Sequence, residues 1–520
     1  MESYILNLIV FLPLLAGLVM LFIPGRYQKI WKASVLFVAV AEIVLSFCCY
    51  YFFINGKADI LEFKAQWLRL AFGSFGWIYV DFHLKTDGLN LALVMLSSIV
   101  FFVSVLSSFD IKKYSKGFYL LIYLLMSAIY GCFLSHDFLL FFLFFEFMLL
   151  PMYFLIGLWG GERREYAAIK FFLYTLLGSV FILLVLIATY SSVVIPGASE
   201  AVIHSLDYDF IFTSKYYLAG SLLDPASLST IFGINTRTFL FFLFLLGFAI
   251  KLPVVPVHTW LPDAHVEAPT SVSVILAGIL LKIGGYGIIK LVMPLFPDLF
   301  REYAFLIAGF GVLSMIYSGL AALGQTDLKK LIAYSSVSHM GFVMLGAASF
   351  TKEGLNGAIF QMISHGLISS LLFILAGVLY ERTHDRQIAH YRGLATVMPY
   401  FTMFSGLAYF ASLGLPFLSG FIAELSVFMG AFLACKSGLL PYWLVLTSLT
   451  TLLIGASYCL WVLQRMFFGE FWTKPTISTG QLTDISVREW LMILPLSILI
   501  VLLGIFPSFL FNIISTFRPW

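Results

Sequence analysis

Apolar stretches of about twenty residues alternate with short polar loops along the whole chain, a rhythm that predicts membrane-spanning helices rather than amphipathic surface helices or strands. Splitting the stretches at the loops gives fourteen helices, near 3-24, 33-54, 88-108, 118-134, 138-158, 167-191, 238-257, 268-293, 304-323, 331-349, 356-380, 399-434, 441-467 and 489-513. The expected fold is all-α and polytopic, with 1-520 as a single membrane domain. The longest polar-leaning gaps, near 55-86, 192-236 and 468-488, are too short for a separate soluble domain. The first run, Tyr4 to Pro24, has only Glu2 ahead of it and lacks a basic leader and a small-residue cleavage pattern, so it reads as a retained helix.

Basic residues orient these helices. One set of alternate loops holds Arg26, Lys29 and Lys32, then Lys112, Lys113 and Lys116, then Arg163 and Arg164, Lys329 and Lys330, and finally Arg382, Arg386 and Arg392. The opposite set holds isolated cations such as Lys57, Lys215 and Lys352. The positive-inside rule places the first set in the cytoplasm and, for an even helix count, both termini outside. The multi-pass chain is expected in a membrane, most simply the bacterial inner membrane.

Composition narrows the function. Of 520 residues, 61% are hydrophobic and 11% charged, and a net charge of +3 over that length leaves no nucleic-acid footprint. The five cysteines, Cys48, Cys49, Cys132, Cys435 and Cys459, lie in or beside apolar runs without CxxC spacing, so neither a disulfide framework nor an iron-sulfur site is supported.

The segment from Gly247 to Lys290 breaks the pattern. It places single lysines, Lys251 and Lys282, in apolar runs and interrupts one run with Pro253 and Pro256. A charge at bilayer depth costs about 2.5 to 3.5 kcal/mol on insertion scales, so it faces protein or water and has a task. Proline breaks are tolerated where protein or a cavity receives the freed backbone groups. A second break follows at Leu415-Pro416, with Glu424 eight residues beyond the proline.

These two breaks suggest duplication. The run from Ala167 can be laid against the run from Gly357, with Ser179 opposite Ser369, and in each case the next helix carries the Leu-Pro break. The matched helices are the sixth and eleventh, and an odd separation makes the units inverted. The expected organisation is a first five-helix repeat over 118-293, an inverted second repeat over 304-467 and a C-terminal helix at 489-513.

Few polar residues remain inside the runs. Glu146 has four or more apolar neighbours on either side, and either carries protons or is a neutral carboxyl hydrogen-bonded for packing. Lys251 and Lys282 pose the same choice, whereas Lys170 and Lys290 lie near helix ends, where a long side chain can snorkel. Ser335 and His339 share a helix face, as do Gln361, His365 and Ser369. Such stripes can hold water, and histidine titrates near neutral pH, although a membrane histidine can also simply tie two helices together. A lysine and a carboxylate about 6 Å apart interact by some 3 kcal/mol at an effective dielectric near 20, so moving one partner changes whether the other holds its proton. His258, Asp263, His265 and Glu267 lack the HExxH form and read as a structured loop rather than a metal site. Gly285-Tyr286-Gly287 lacks the third glycine of a dinucleotide fingerprint and reads as close helix packing.

The segments FAIKLPVVPVHTWLPDAHVEAPTSVSVILAGILLKIGGYG, QTDLKKLIAYSSVSHMGF and SGFIAEL resemble those of the antiporter-like membrane subunits of respiratory complex I, proton-translocating NADH:quinone oxidoreductase, in the NuoM type. The resemblance is specific from about Met95 to Gly430 and extends to Mrp sodium/proton antiporter subunits and to a subunit of the ferredoxin-dependent photosynthetic complex. It implies fourteen helices with the seventh and twelfth broken. It also implies a proton relay in which Glu146 and Lys251 form an ion pair, Lys282 is the central lysine, His339 and His365 connect, and Glu424 ends the row. Glutamate at that last position favours the NuoM type over the NuoL and NuoN types, which carry lysine. By the same resemblance, NADH, FMN, iron-sulfur clusters and quinone belong to partner subunits, none to this chain, and the partners are NuoL-like and NuoN-like chains in a lipid bilayer. The rival expectations are a sodium/proton antiporter subunit and a purely structural scaffold.

Overall fold

The computed structural model describes residues 4–71, 77–195, 203–477, 480 and 482–519. The helices used below are α1 (Ile5–Leu21), α2 (Gln28–Ile54), α3 (Gly88–Ser107), α4 (Ser115–Leu134), α5 (Phe138–Phe147), α6 (Leu149–Trp159) and α7 (Arg164–Ser192). They continue with α8 (Thr236–Lys251), α9 (Trp260–Glu267), α10 (Thr270–Leu295), α11 (Ala304–Leu323), α12 (Leu328–Ala348) and α13 (Lys352–Thr383). The last are α14 (Pro399–Ser412), α15 (Ser419–Lys436), α16 (Tyr442–Phe467) and α17 (Val487–Ile505).

Among the described residues, twelve helices are long and apolar enough to cross a membrane. The protein is an all-α integral membrane protein that spans the bilayer many times, as bacterial inner-membrane proteins of this build do. Two of the fourteen expected spans form shorter helices, α1 with 17 residues and α8 with 16, so helix length alone does not carry the count of fourteen.

Three expected single helices are interrupted, each for a local reason. Residues 138-158 split at Met148 because Pro151 has no N–H for the carbonyl of Phe147 and its ring crowds that carbonyl. After Lys251 the chain unwinds through Pro253 and Pro256, and its freed groups are taken up by protein: Ser314 Oγ on α11 accepts from Val255 N at 2.9 Å, and Trp260 Nε1 donates to Ile250 O at 2.9 Å. The third break, between Ser412 and Ser419, contains Pro416 and Gly414, whose φ of 78° favours glycine.

Helices α10 and α13 are wholly enclosed by the others, while α7 and α16 turn large apolar residues such as Leu173, Ile187 and Leu453 outward. An outward apolar face is stable in lipid, so the ionisable residues are left for the enclosed helices.

Loops assigned to one side of the membrane by their charges assemble with one another. A hairpin of β1 (Glu62–Ala71) and β2 (Trp77–Lys85) pairs in parallel through β2 with β4 (Ile203–Ser205), which pairs with β3 (Val194–Ile195). The 135–137 turn joins this layer through His136 N to His83 O at 2.8 Å and Phe138 N to Leu206 O at 2.8 Å. Among the basic loops, Arg382 grips Glu489 at the start of α17 with two contacts of 2.8 Å. Removing Arg382 strands a buried carboxylate, so Arg382→Ala is expected to destabilise the fold by about 3–5 kcal/mol. The check is a lowered temperature of thermal inactivation; an unchanged temperature would show that the pair is solvated.

Candidate functional site

Glu146 is held on the last turn of α5, where the Pro151 kink begins. Its Oε1 is buried without a hydrogen-bond partner, and the groups acting on its carboxylate are Ser179 of α7 and Lys251 of α8. Lys251 is 1% exposed, and its Nζ has no acceptor. The ammonium instead lies over the rings of Phe145 at 4.9 Å and Phe171 at 5.8 Å. Cation–π contacts stabilise a charge only partly, so the field of Glu146 weighs heavily on Lys251. The two are electrostatic neighbours, but the expected direct ion pair is not formed in this conformation: no ion pair within 4.0 Å joins them. The Lys251 ammonium faces the aromatic rings beside it rather than the Glu146 carboxylate.

Lys282 lies at the centre of the enclosed helix α10, just after the π-helical turn Leu276–Leu280. Its Nζ donates to the Ala277 carbonyl in that turn and meets His365 Nδ1 of α13 at 2.8 Å. Since an ammonium only donates, His365 Nδ1 is the acceptor when Lys282 is charged. A π turn widens the helix and is common at functional sites; here it brings a carbonyl to the lysine.

From His365 the row continues. The rings of His365 and His339 are 5.5 Å apart between centroids. His339 Nδ1 is 3.3 Å from Gln361 Nε2 and 3.7 Å from Glu424 Oε1, and His339 Nε2 is 3.2 Å from Ser412 Oγ in the second break. Glu424, on α15, folds its carboxyl back over Gly414, where an added Cβ would be 2.5 Å from Oε2. A small cavity among Ser338, His339, Ser412, Glu424 and Tyr458 has about 10 Å³ for the centre of a water molecule, room for about one. Lys282, His365, His339 and Glu424 therefore form a connected series, whereas Glu146 and Lys251 form a second group that no side-chain hydrogen bond joins to it.

Glycines set the spacing between the two groups. An added Cβ at Gly284 would lie 2.4 Å from Leu252 N, and at Gly287 2.1 Å from the Phe248 ring. The Gly285-Tyr286-Gly287 stretch is thus close helix packing, with α10 pressed directly onto the unwound end of α8.

Several sequence readings change. Ser335 and Ser369 lie on the expected faces but turn their hydroxyls to backbone carbonyls of their own helices, so only Gln361 and His365 of that stripe reach the series. Lys290 does not snorkel: it is buried in a second π turn, Ile288–Val292, and ion-paired with Asp87, the cap of α3. Lys170 pairs with Asp263 at 2.7 Å, while Glu267 accepts from Arg163 N at 3.0 Å, which disperses the loop cluster that lacked a metal pattern.

Among the buried ionisable residues that were missed, three lie near the relay or share its sequence signal. His265 is fully buried with both ring nitrogens unpartnered, stacked on Phe373 at 4.4 Å and within the fields of Lys282 and Lys329. Lys329, assigned to a loop, is 3% exposed and donates to Ala268 O at 3.0 Å. Nothing in their loop sequences marks either as buried. Glu42 of α2 is also fully buried with both oxygens unpartnered, and its isolation in an apolar run is the same signal that marks Glu146.

A membrane protein with two broken helices flanking an enclosed row of lysine, histidine and glutamate is built like an ion-translocating carrier or antiporter-type subunit. Comparison with known proteins makes this specific. The family model described as NADH:quinone oxidoreductase/Mrp antiporter, TM, matches residues 135–455. NADH-quinone oxidoreductase subunit M of Rickettsia bellii (strain RML369-C) is 39% identical over 521 residues, covering 99% of this chain and 97% of that protein. A chain in the structure of respiratory complex I from Thermus thermophilus with bound NADH superposes with a TM-score of 0.78 at 28% identity, covering 98% of this chain and 97% of that one. A chain of the Mrp complex from Dietzia sp. DQ12-45-1b shares the fold, with a TM-score of 0.79 at 20% identity over 98% of this chain and 96% of that one. The chain belongs to the NADH:quinone oxidoreductase/Mrp antiporter transmembrane family, in its subunit M type.

Proposed function

We propose that this chain translocates protons in the membrane arm of an NADH:quinone oxidoreductase, through Glu146, Lys251, Lys282, His365, His339 and Glu424 in that order. The observation that carries the reading is the series from Lys282 through 2.8 Å to His365, on to His339, and 3.7 Å further to Glu424. Each member can accept and release a proton, and from Lys282 to Glu424 each lies close enough to the next for one small motion or one water to complete the transfer.

Glu146 and Lys251 act in this scheme as the control pair. The two interact electrostatically, so a partner that draws Glu146 away changes the proton occupancy of Lys251. His265, unpartnered and within the fields of both Lys282 and Lys329, is a candidate to feed the centre of the row. The two broken helices with the helices they pack on, α7 with α8 and α13 with α15, support the division into a repeat over 118-293, an inverted one over 304-467 and a terminal helix at 489-513. The chain holds no redox centre in this reading. NADH, FMN, iron-sulfur clusters and quinone reside in partner subunits, and NuoL-like and NuoN-like chains flank this one.

The relay is tested in vesicles containing the intact complex. Glu146→Gln and Lys251→Ala are each expected to assemble and to lose proton pumping; wild-type pumping by assembled variants would sink the relay and leave the scaffold reading. Gln361→Leu, which leaves His339 held by Ser412, is expected to slow pumping about two- to tenfold, the worth of one hydrogen bond of 0.5–1.5 kcal/mol. Sodium-dependent exchange by the chain outside a redox complex would instead favour the antiporter reading.

A further inference from the structure

The layer built on β1–β4 brings together side chains that the relay does not use. His83 on β2, His136 in the turn before α5, and Asp207 and Asp209 after β4 each offer a ligand atom, and these four atoms lie within 4.8 Å of one another. We propose that they form a binding site for a divalent transition cation of the zinc class.

Two edges of a ligand tetrahedron are already in place: His83 Nδ1 to Asp207 Oδ2 at 2.8 Å and His136 Nε2 to Asp209 Oδ1 at 3.1 Å. Zinc bonds of about 2.0–2.1 Å to nitrogen and carboxylate oxygen require donor separations of about 3.3 Å, so the remaining pairs need to close by an ångström or so. Two imidazoles with two carboxylates suit zinc and its transition-metal neighbours, and exclude the all-oxygen preference of calcium and magnesium.

Support around the donors is of the kind metal ligands have. His83 Nε2 is 3.0 Å from Glu62 Oε1, an arrangement that fixes the ring and leaves Nδ1 to the ion. The backbone is tied at the same point, with Tyr208 N bonded to His136 O at 3.0 Å. A separate, unpartnered carboxylate oxygen lies beside this cluster. Asp137, next to His136 and fully buried, leaves Oδ2 without a partner while lying in the field of Asp207.

Lys64 is the competitor. Its Nζ is 2.6 Å from Asp207 Oδ2 and 3.5 Å from Asp81 Oδ2, and its side chain is 40% exposed. A divalent ion would displace it toward Asp81. The bound ion would then staple the hairpin and the 203–209 segment to the start of α5, the helix that carries Glu146, whether or not the relay assignment holds.

The test is a zinc titration of the chelator-treated intact complex, comparing wild type with variants. Wild type is expected to retain one equivalent more than Asp209→Asn, a half-exposed position that the fold tolerates, and than His83→Asn. Glu62→Gln is expected to weaken that equivalent about 10- to 100-fold, as loss of a supporting carboxylate does. Lys64→Ala is expected to tighten it. Equal zinc counts in wild type and Asp209→Asn, or no tightening in Lys64→Ala, would overturn the proposal.

Discussion

Replacing Lys282 by alanine is expected to leave an assembled complex whose proton translocation falls by about two orders of magnitude or more, the range lost when a positioned proton donor or acceptor is removed. Lys282 sits in a helix enclosed on all sides and holds the Ala277 carbonyl and His365 Nδ1 together. Alanine removes both contacts and opens a gap between the Glu146–Lys251 pair and His365. A complementary loss is expected for Glu424→Gln, which keeps the shape of the side chain at Gly414 but cannot exchange a proton. Proton uptake measured alongside electron transfer in the same vesicles checks both. A Lys282→Ala complex that pumps normally would show that His365 receives protons by another route.

The second large effect is steric. Gly284→Ala places a methyl 2.4 Å from Leu252 N and 2.8 Å from Leu252 Cα, backbone that cannot rotate away. Overpacking typically costs about 1–3 kcal/mol, and here the strain falls on the residue that follows Lys251. The expected outcome is poor assembly, or an assembled complex with pumping reduced as in Lys251→Ala. Gly309→Ala is the control, because an added Cβ there meets nothing within 4 Å. Normal assembly and pumping in Gly284→Ala would mean that α10 and the break in α8 are not tightly coupled.

Much of this arrangement was legible in the sequence because the membrane punishes exceptions. Lone charges in apolar runs pointed to Glu146, Lys251, Lys282 and Glu424, and prolines marked both broken helices. The charge bias of the loops grouped Lys57 of 55-86 with Lys215 of 192-236, and parts of both gaps meet in one layer. What stayed hidden depends on packing at close range. The π turns around Lys282 and Lys290 leave no local signature, and they decide which carbonyl and which carboxylate those lysines meet. Lys251 lies over the rings of Phe145 and Phe171 with no acceptor for its Nζ, whereas the resemblance to relatives suggested contact with Glu146. His265 and Lys329 look like loop residues and become buried only when α10, α12 and α13 close over them. Glu42 is the instructive omission, because the rule applied to Glu146 applies to it unchanged.

The central claim is that these buried charges exchange protons rather than merely hold helices in place, and Lys251→Arg separates the two most directly. Arginine keeps the positive charge and stacks well on the rings of Phe145 and Phe171, but it does not release its proton. Protons moved outward per donor molecule oxidised are to be measured in vesicles, on assembled complex, beside wild type and Lys251→Ala. The relay predicts that Lys251→Arg pumps as poorly as Lys251→Ala, whereas pumping restored to the wild-type level would contradict it.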